Sequence, residues 1–234
     1  MTLNSPESLL QLYALATSPS QSIKPATAKQ EDHPVYTAEL MREVGLKCIG
    51  FNGVPRTINC LNAFRDGLPS EIQSALAQRK PRRALARDNI DAVLDRGHGL
   101  WNGVYAPFSD KLTAKLAASH PDLPVHIIEA EYGALFSDPA RHSAPLGANV
   151  GRVLTSVVAV ACLRAQTGVG PQVLSHVFGL RKAYEGGKPG EEVEGGKWLA
   201  SDEGCEWLLK RIDEVVGAIG GGFAGGYGEV KAKL

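Results

Sequence analysis

The sequence carries no excess charge of either sign, with 25 Lys+Arg against 25 Asp+Glu in 234 residues. Neutralising phosphates along a groove needs clustered surplus Lys/Arg, so the balance argues against a nucleic-acid partner. It argues equally against a polybasic membrane anchor or an acidic tail. Long apolar runs are also missing: the longest, Val153 to Leu163, is interrupted by Thr155 and Ser156 and bracketed by Arg152 and Arg164. A span needs about 18 apolar residues, so no membrane crossing is expected. No basic segment leads into an apolar core at the start and no arginine precedes Arg42, so neither a secretory nor a mitochondrial leader is expected. The four cysteines, Cys48, Cys60, Cys162 and Cys205, form no Cys-x-x-Cys pair and no Cys/His set at zinc spacing. Reduced, mostly buried thiols are the default here. His98, His120 and His126 make no i, i+4 pair, and no metal site is expected.

Aromatics are scarce at 6%, strand-type alternation is nearly absent, and what stands out instead is 26 Gly and 14 Pro. Most of these punctuate helices, with proline in first turns and glycine at breaks. Ser5-Pro6-Glu7 opens a helix with Leu9, Leu10, Tyr13 and Ala14 on one face. A helix from about Thr37 to Ile49 points Leu40, Val44 and Cys48 inward, then breaks at Gly50-Phe51-Asn52-Gly53. Pro55 starts the next, with Ile58, Leu61, Asn62 and Phe64 as its inner face. Further helices are expected from Ser70, Asn89, Pro107, Pro124, Val150, Pro171 and Ser201. Residues 19–34 and 185–197 are expected as mobile loops and residues 217–234 as a flexible glycine-rich tail. The fold class is all-α, in one domain.

Two segments share a design. A helix ending at Cys48 leads through Gly53-Val54-Pro55 to Cys60, and a helix through Cys162 leads through Gly168-Val169-Gly170-Pro171 to His176. Five residues beyond the proline lie Cys60 in one copy and His176 in the other. The chain thus reads as two divergent helical-hairpin repeats, at about 36–80 and 147–185. His176, on a helix otherwise lined by Val173, Leu174, Val177 and Leu180, is the leading candidate for a catalytic group, against a core histidine satisfied by a carbonyl. Gln172, one turn earlier, is placed to orient the imidazole or a substrate. Arg152 and Arg56 are candidates for a substrate carboxylate, and Trp101 and Tyr105 share a helical face that walls a pocket or the core. Cys60 is a candidate thiol, with a small core residue as its alternative.

The stretch from Arg152 to Leu163, followed by Gln172-Val173-Leu174-Ser175-His176, resembles the carboxymuconolactone decarboxylase/AhpD-like superfamily. Gly50-Phe51-Asn52-Gly53-Val54-Pro55 running into Asn62-Ala63 is similar to a Gly-aromatic-x-x-Pro turn of that family. The region around Trp101–Tyr105 and His120–Pro124 resembles enlarged, two-copy fungal members. The peroxidase branch has a Cys-x-x-Cys-x-x-x-His run, but the matching positions here are Val169 and Gln172, and no acid stands at Thr155–Val157 where its relay glutamate falls. The disulfide cycle of that branch is therefore not expected.

The resemblance implies an AhpD-like helical bundle, a homo-oligomer, and a cofactor-free lyase-type enzyme. Such an enzyme would act on a small carboxylated or lactone substrate, with His176 as proton donor. The alternatives are a catalytically degenerate assembly or binding protein, and a thiol-dependent oxidoreductase using Cys48 and Cys60. The terminal Ala232-Lys233-Leu234 is close to a peroxisomal address, with the cytoplasm as alternative.

Overall fold

In the computed structural model, residues 1–18, 33–139, 148–185 and 193–223 are described, and among them there is helix and no strand. The order is α1 (Pro6–Ala16), α2 (His33–Lys47), α3 (Ile49–Asn52), α4 (Val54–Gly67), α5 (Ser70–Ala77), α6 (Ile90–Tyr105), α7 (Ser109–Ser119) and α8 (Asp122–Val125). A π-helix, His126–Phe136, follows directly, then α9 (Gly151–Gln166), α10 (Gly170–Arg181), a short 3₁₀ turn, α11 (Gly196–Leu199) and α12 (Asp202–Phe223). No described helix is long and apolar enough to cross a membrane.

The proline and glycine punctuation operates as expected. Gly53, at φ 80°, ends α3, and α4 begins with Pro55 in its first turn. Gly168, at φ 74°, precedes α10, which holds Pro171 in its first turn. Ser201 Oγ accepts the Gly204 N–H at 3.1 Å and so caps α12.

Some sequence expectations are corrected. His33 and Pro34 belong to α2 rather than to a loop, and residues from Gly196 form α11. Helix α12 continues through Gly217 to Phe223 instead of ending in a tail, because extending an anchored helix costs only about 1 kcal/mol per glycine. Glu185 and Val193 to Gly195 are non-helical as expected of the 185–197 loop, and the rest of the expected loops and tail, including Ala232-Lys233-Leu234, lies outside the described residues. On α4 the buried stripe is Thr57, Cys60 and Phe64, while Ile58 is half exposed. Pro124 sits inside α8, and the segment after it is a π-helix rather than an α-helix.

The apolar residues gather in three clusters. Tyr13, Ala38, Phe64 and Leu68 knit α1, α2, α4 and α5 together. Trp101, Val104, Tyr132 and Phe136 join α6 to the π-helix. Val153, Val160, Leu180 and Leu208 join α9, α10 and α12. Helix α6 and the π-helix meet backbone to backbone at Gly97 and Gly133. A Cβ on Gly97 would lie 2.7 Å from the Gly133 Cα, with backbone that cannot yield. Gly97→Ala is therefore expected to destabilise the protein by about 1–3 kcal/mol. Urea unfolding of the two proteins measures this, and an unchanged midpoint would refute the tight contact.

Candidate functional site

Helix α6 carries Trp101 and Tyr105 one turn apart, and its close seat on the π-helix brings Tyr132 to both. The Trp101 ring lies 4.2 Å from Tyr105 and 5.1 Å from Tyr132 between centroids. The Tyr132 hydroxyl donates to the Tyr105 hydroxyl at 3.0 Å. Tyr105 Oη in turn lies 3.3 Å from His176 Nε2 on α10. With its oxygen accepting from Tyr132, the Tyr105 proton is free to go to Nε2, which places the imidazole proton on Nδ1. That Nδ1 is buried without a hydrogen-bond partner. The edge of Phe51 closes the other side of the ring, with centroids 6.1 Å apart.

Burial sets the protonation states. His176 is 7% exposed, and desolvation pulls its pKa down from 6.5 to about 4, so the ring is neutral at pH 7. The cause is desolvation of the charged ring. Burial also raises the pKa of Tyr105, partly offset by the bond from Tyr132, and raises that of Tyr132. The chain is therefore three neutral groups able to pass a proton along two hydrogen bonds.

Tyr105 also lines a cavity of about 500 Å³ between α6, α7 and α10. Val104, Leu112 and Phe178 supply apolar wall, and Lys111, Lys115 and Lys182 supply positive charge. Lys182 Nζ is held by the Ala106 carbonyl at 2.6 Å. Burial lowers the Lys182 pKa, and the Arg152 charge adds to this. Apolar walls with three lysines in the lining suit an organic anion with a hydrocarbon or ring body.

The other sequence candidates fall elsewhere. Gln172 is exposed on the outer side of α10, so it does not orient His176. Arg152 reaches the backbone carbonyls of Gly103 and Gly179, the latter at 2.9 Å, and so ties α9 to α6 and α10 rather than presenting a fork to the cavity. Arg56 donates to the Thr2 carbonyl at 2.8 Å. Cys60 is fully buried, with Asn4 Oδ1 4.0 Å from its sulfur. Cys48 pairs not with Cys60 but with Cys162, the two sulfurs 3.6 Å apart.

Two further groups escaped the sequence reading. Tyr132 lies between Glu131 and Gly133 and gives no local sign of its partner. Lys47 is completely buried. Its ammonium makes an ion pair with Asp138 at 3.0 Å and also donates to the Phe136 carbonyl. Beside it, Arg83 grips both oxygens of the buried Glu43 and donates to the Leu135 carbonyl at 3.3 Å. Lys47 had a sequence signal: it follows Leu40 by seven and Val44 by three, on the inward stripe of α2.

Among the described residues no group of three or more His, Cys, Asp or Glu is placed to hold a metal ion. In comparisons with known proteins, no family model, no curated protein and no solved structure matches this chain.

Proposed function

We propose that the chain is a cofactor-free enzyme of the carboxymuconolactone decarboxylase/AhpD-like type, acting on a small carboxylated or lactone substrate by proton transfer. The observation that carries this reading is the Tyr132–Tyr105–His176 chain, whose middle member also lines the lysine-rimmed cavity. The substrate anion is held by Lys111, Lys115 and Lys182, and its apolar body packs on Leu112 and Phe178. Tyr105 donates its proton to the reacting atom, and the Tyr132 hydroxyl, donating to the Tyr105 oxygen, supports the charge that develops there. Arg152 and Arg56 donate to backbone carbonyls and Gln172 is exposed, so the lysines and not these three residues hold the substrate. Exposed Phe108, Leu174 and Phe178 near the cavity support self-association.

The test is release of CO₂ from a panel of carboxylated lactones and aryl carboxylates. Tyr105→Phe is expected to lower kcat by about 10²–10⁴-fold while anion binding is retained. Lys111→Ala with Lys115→Ala is expected to raise KM with little change in kcat. Binding of the panel without turnover by the native protein would replace the enzyme with a binding protein. That second reading draws support from the fact that His176 itself does not line the cavity.

A further inference from the structure

Cys48 lies between α2 and α3 and Cys162 lies on α9, 114 residues later, yet their sulfurs are 3.6 Å apart. A disulfide needs them about 1.6 Å closer. The two remaining cysteines are occupied differently: Cys205 Sγ faces the Leu199 carbonyl at 3.4 Å and Cys60 Sγ faces Asn4 Oδ1. Cys162 has a built surrounding. Asn52 Nδ2 points at its sulfur from 3.6 Å. That amide is fixed in this sense, because its oxygen already takes the Thr2 hydroxyl at 3.0 Å and the Gln166 amide at 3.3 Å. The Asn52 amide and the Cys48 thiol thus both face this one sulfur, the arrangement that stabilises a thiolate.

We propose that Cys48 and Cys162 form a peroxide-oxidisable dithiol, with Cys162 attacked first and Cys48 closing an intramolecular disulfide. The Cys162 thiolate attacks one oxygen of hydrogen peroxide. The O–O bond breaks, a sulfur–oxygen bond forms, and the departing hydroxide takes up the thiol proton as water. Cys48 sulfur then attacks the sulfenic sulfur, the S–S bond forms, and the sulfenic hydroxyl leaves with the Cys48 proton as a second water. Two thiols are oxidised by two electrons in all, and one peroxide is reduced to two waters. The assignment of roles follows Asn52, whose amide faces the Cys162 sulfur and not that of Cys48. The contact with Cys48 and the Asn52 amide lower the Cys162 pKa against the burial that raises it, while the same contact and burial push the Cys48 thiol up. With only 6% of Cys162 and 3% of Cys48 exposed, the pair suits an oxidant as small as hydrogen peroxide and resists bulky disulfides.

This is separate from the cavity chemistry above, and it can hold or fail independently. The full chain, treated with hydrogen peroxide, is digested without reduction and mapped by mass spectrometry. The expected product is a peptide pair joining Cys48 to Cys162 within one chain, two hydrogens lighter than the dithiol and restored by dithiothreitol. In Cys48→Ser, dimedone is expected to label Cys162. In Cys162→Ser, thiol loss is expected to slow by about tenfold or more. Retention of all four thiols, a linkage through Cys60 or Cys205, or a bond between chains would overturn the proposal. The map of the native protein decides the matter even if a serine variant fails to fold.

Discussion

Replacing Asp138 with alanine is expected to lower the free energy of unfolding by about 3–5 kcal/mol. This is the range for a buried charge stripped of its partner. Lys47 is completely enclosed, and its ammonium has Asp138 at 3.0 Å as its ion-pair partner. Burial already lowers the Lys47 pKa, against the Asp138 charge that supports the ammonium. The same carboxylate accepts the Gly151 N–H at 2.6 Å, so its loss also exposes the start of α9. For a chain of this length the loss corresponds to a fall in Tm of very roughly 6–20 °C. Lys47→Met is expected to be milder, because a chain of similar volume replaces the ammonium and Asp138 keeps the Gly151 bond. Thermal unfolding of both variants tests the contrast. Equal, small losses would show that water reaches Nζ and that the charge is not confined.

Acid is expected to destabilise the protein through His176. The imidazole pKa is 6.5 in the unfolded chain and about 4 in the folded one, because burial disfavours the charged ring. Between those values the unfolded state binds the proton and the native state does not. The stabilising contribution is thus complete above pH 6.5 and is lost as pH falls through that window toward 4. The gap converts to about 3 kcal/mol. Urea midpoints from pH 7.5 down to 4 should fall more steeply for the native protein than for His176→Gln. Parallel curves would mean that the ring is solvated.

The all-α architecture could be read from the chain because proline and glycine fix helix ends locally, as at Gly53–Pro55 and Gly168–Pro171. His176 was legible as an inward group for the same reason: its position on α10 is set by a proline five residues earlier. Its partners were not. Tyr105 is 71 residues away and Tyr132 a further 27 from Tyr105, and only packing of α6, the π-helix and α10 brings them together. The thiols show the same limit. Cys48 and Cys60 are near in sequence, but a helix break at Gly53 turns Cys60 toward Asn4 and leaves Cys48 facing α9. Arg152 misled because an arginine at a helix start suggests solvent or a ligand. Here the glycines at 103 and 179 leave two carbonyls uncovered for it, and a Cβ on Gly103 would come within 3.2 Å of its Nε.

The π-helix at His126–Phe136 has a consequence for how this region tolerates change in length. Each of its turns holds more residues than an α-turn, so the segment behaves like an α-helix that has taken in extra residues. Removing one residue within it is therefore absorbed as the backbone relaxes toward α geometry, with what lies on either side kept in register, whereas the same deletion in α6 before Gly97 swings everything beyond it by about 100° about the helix axis. Gly97 would no longer face Gly133, and Tyr105 would leave Tyr132. A point substitution at Tyr132 deletes one hydroxyl, whereas a one-residue deletion in α6 unregisters the whole junction with the π-helix.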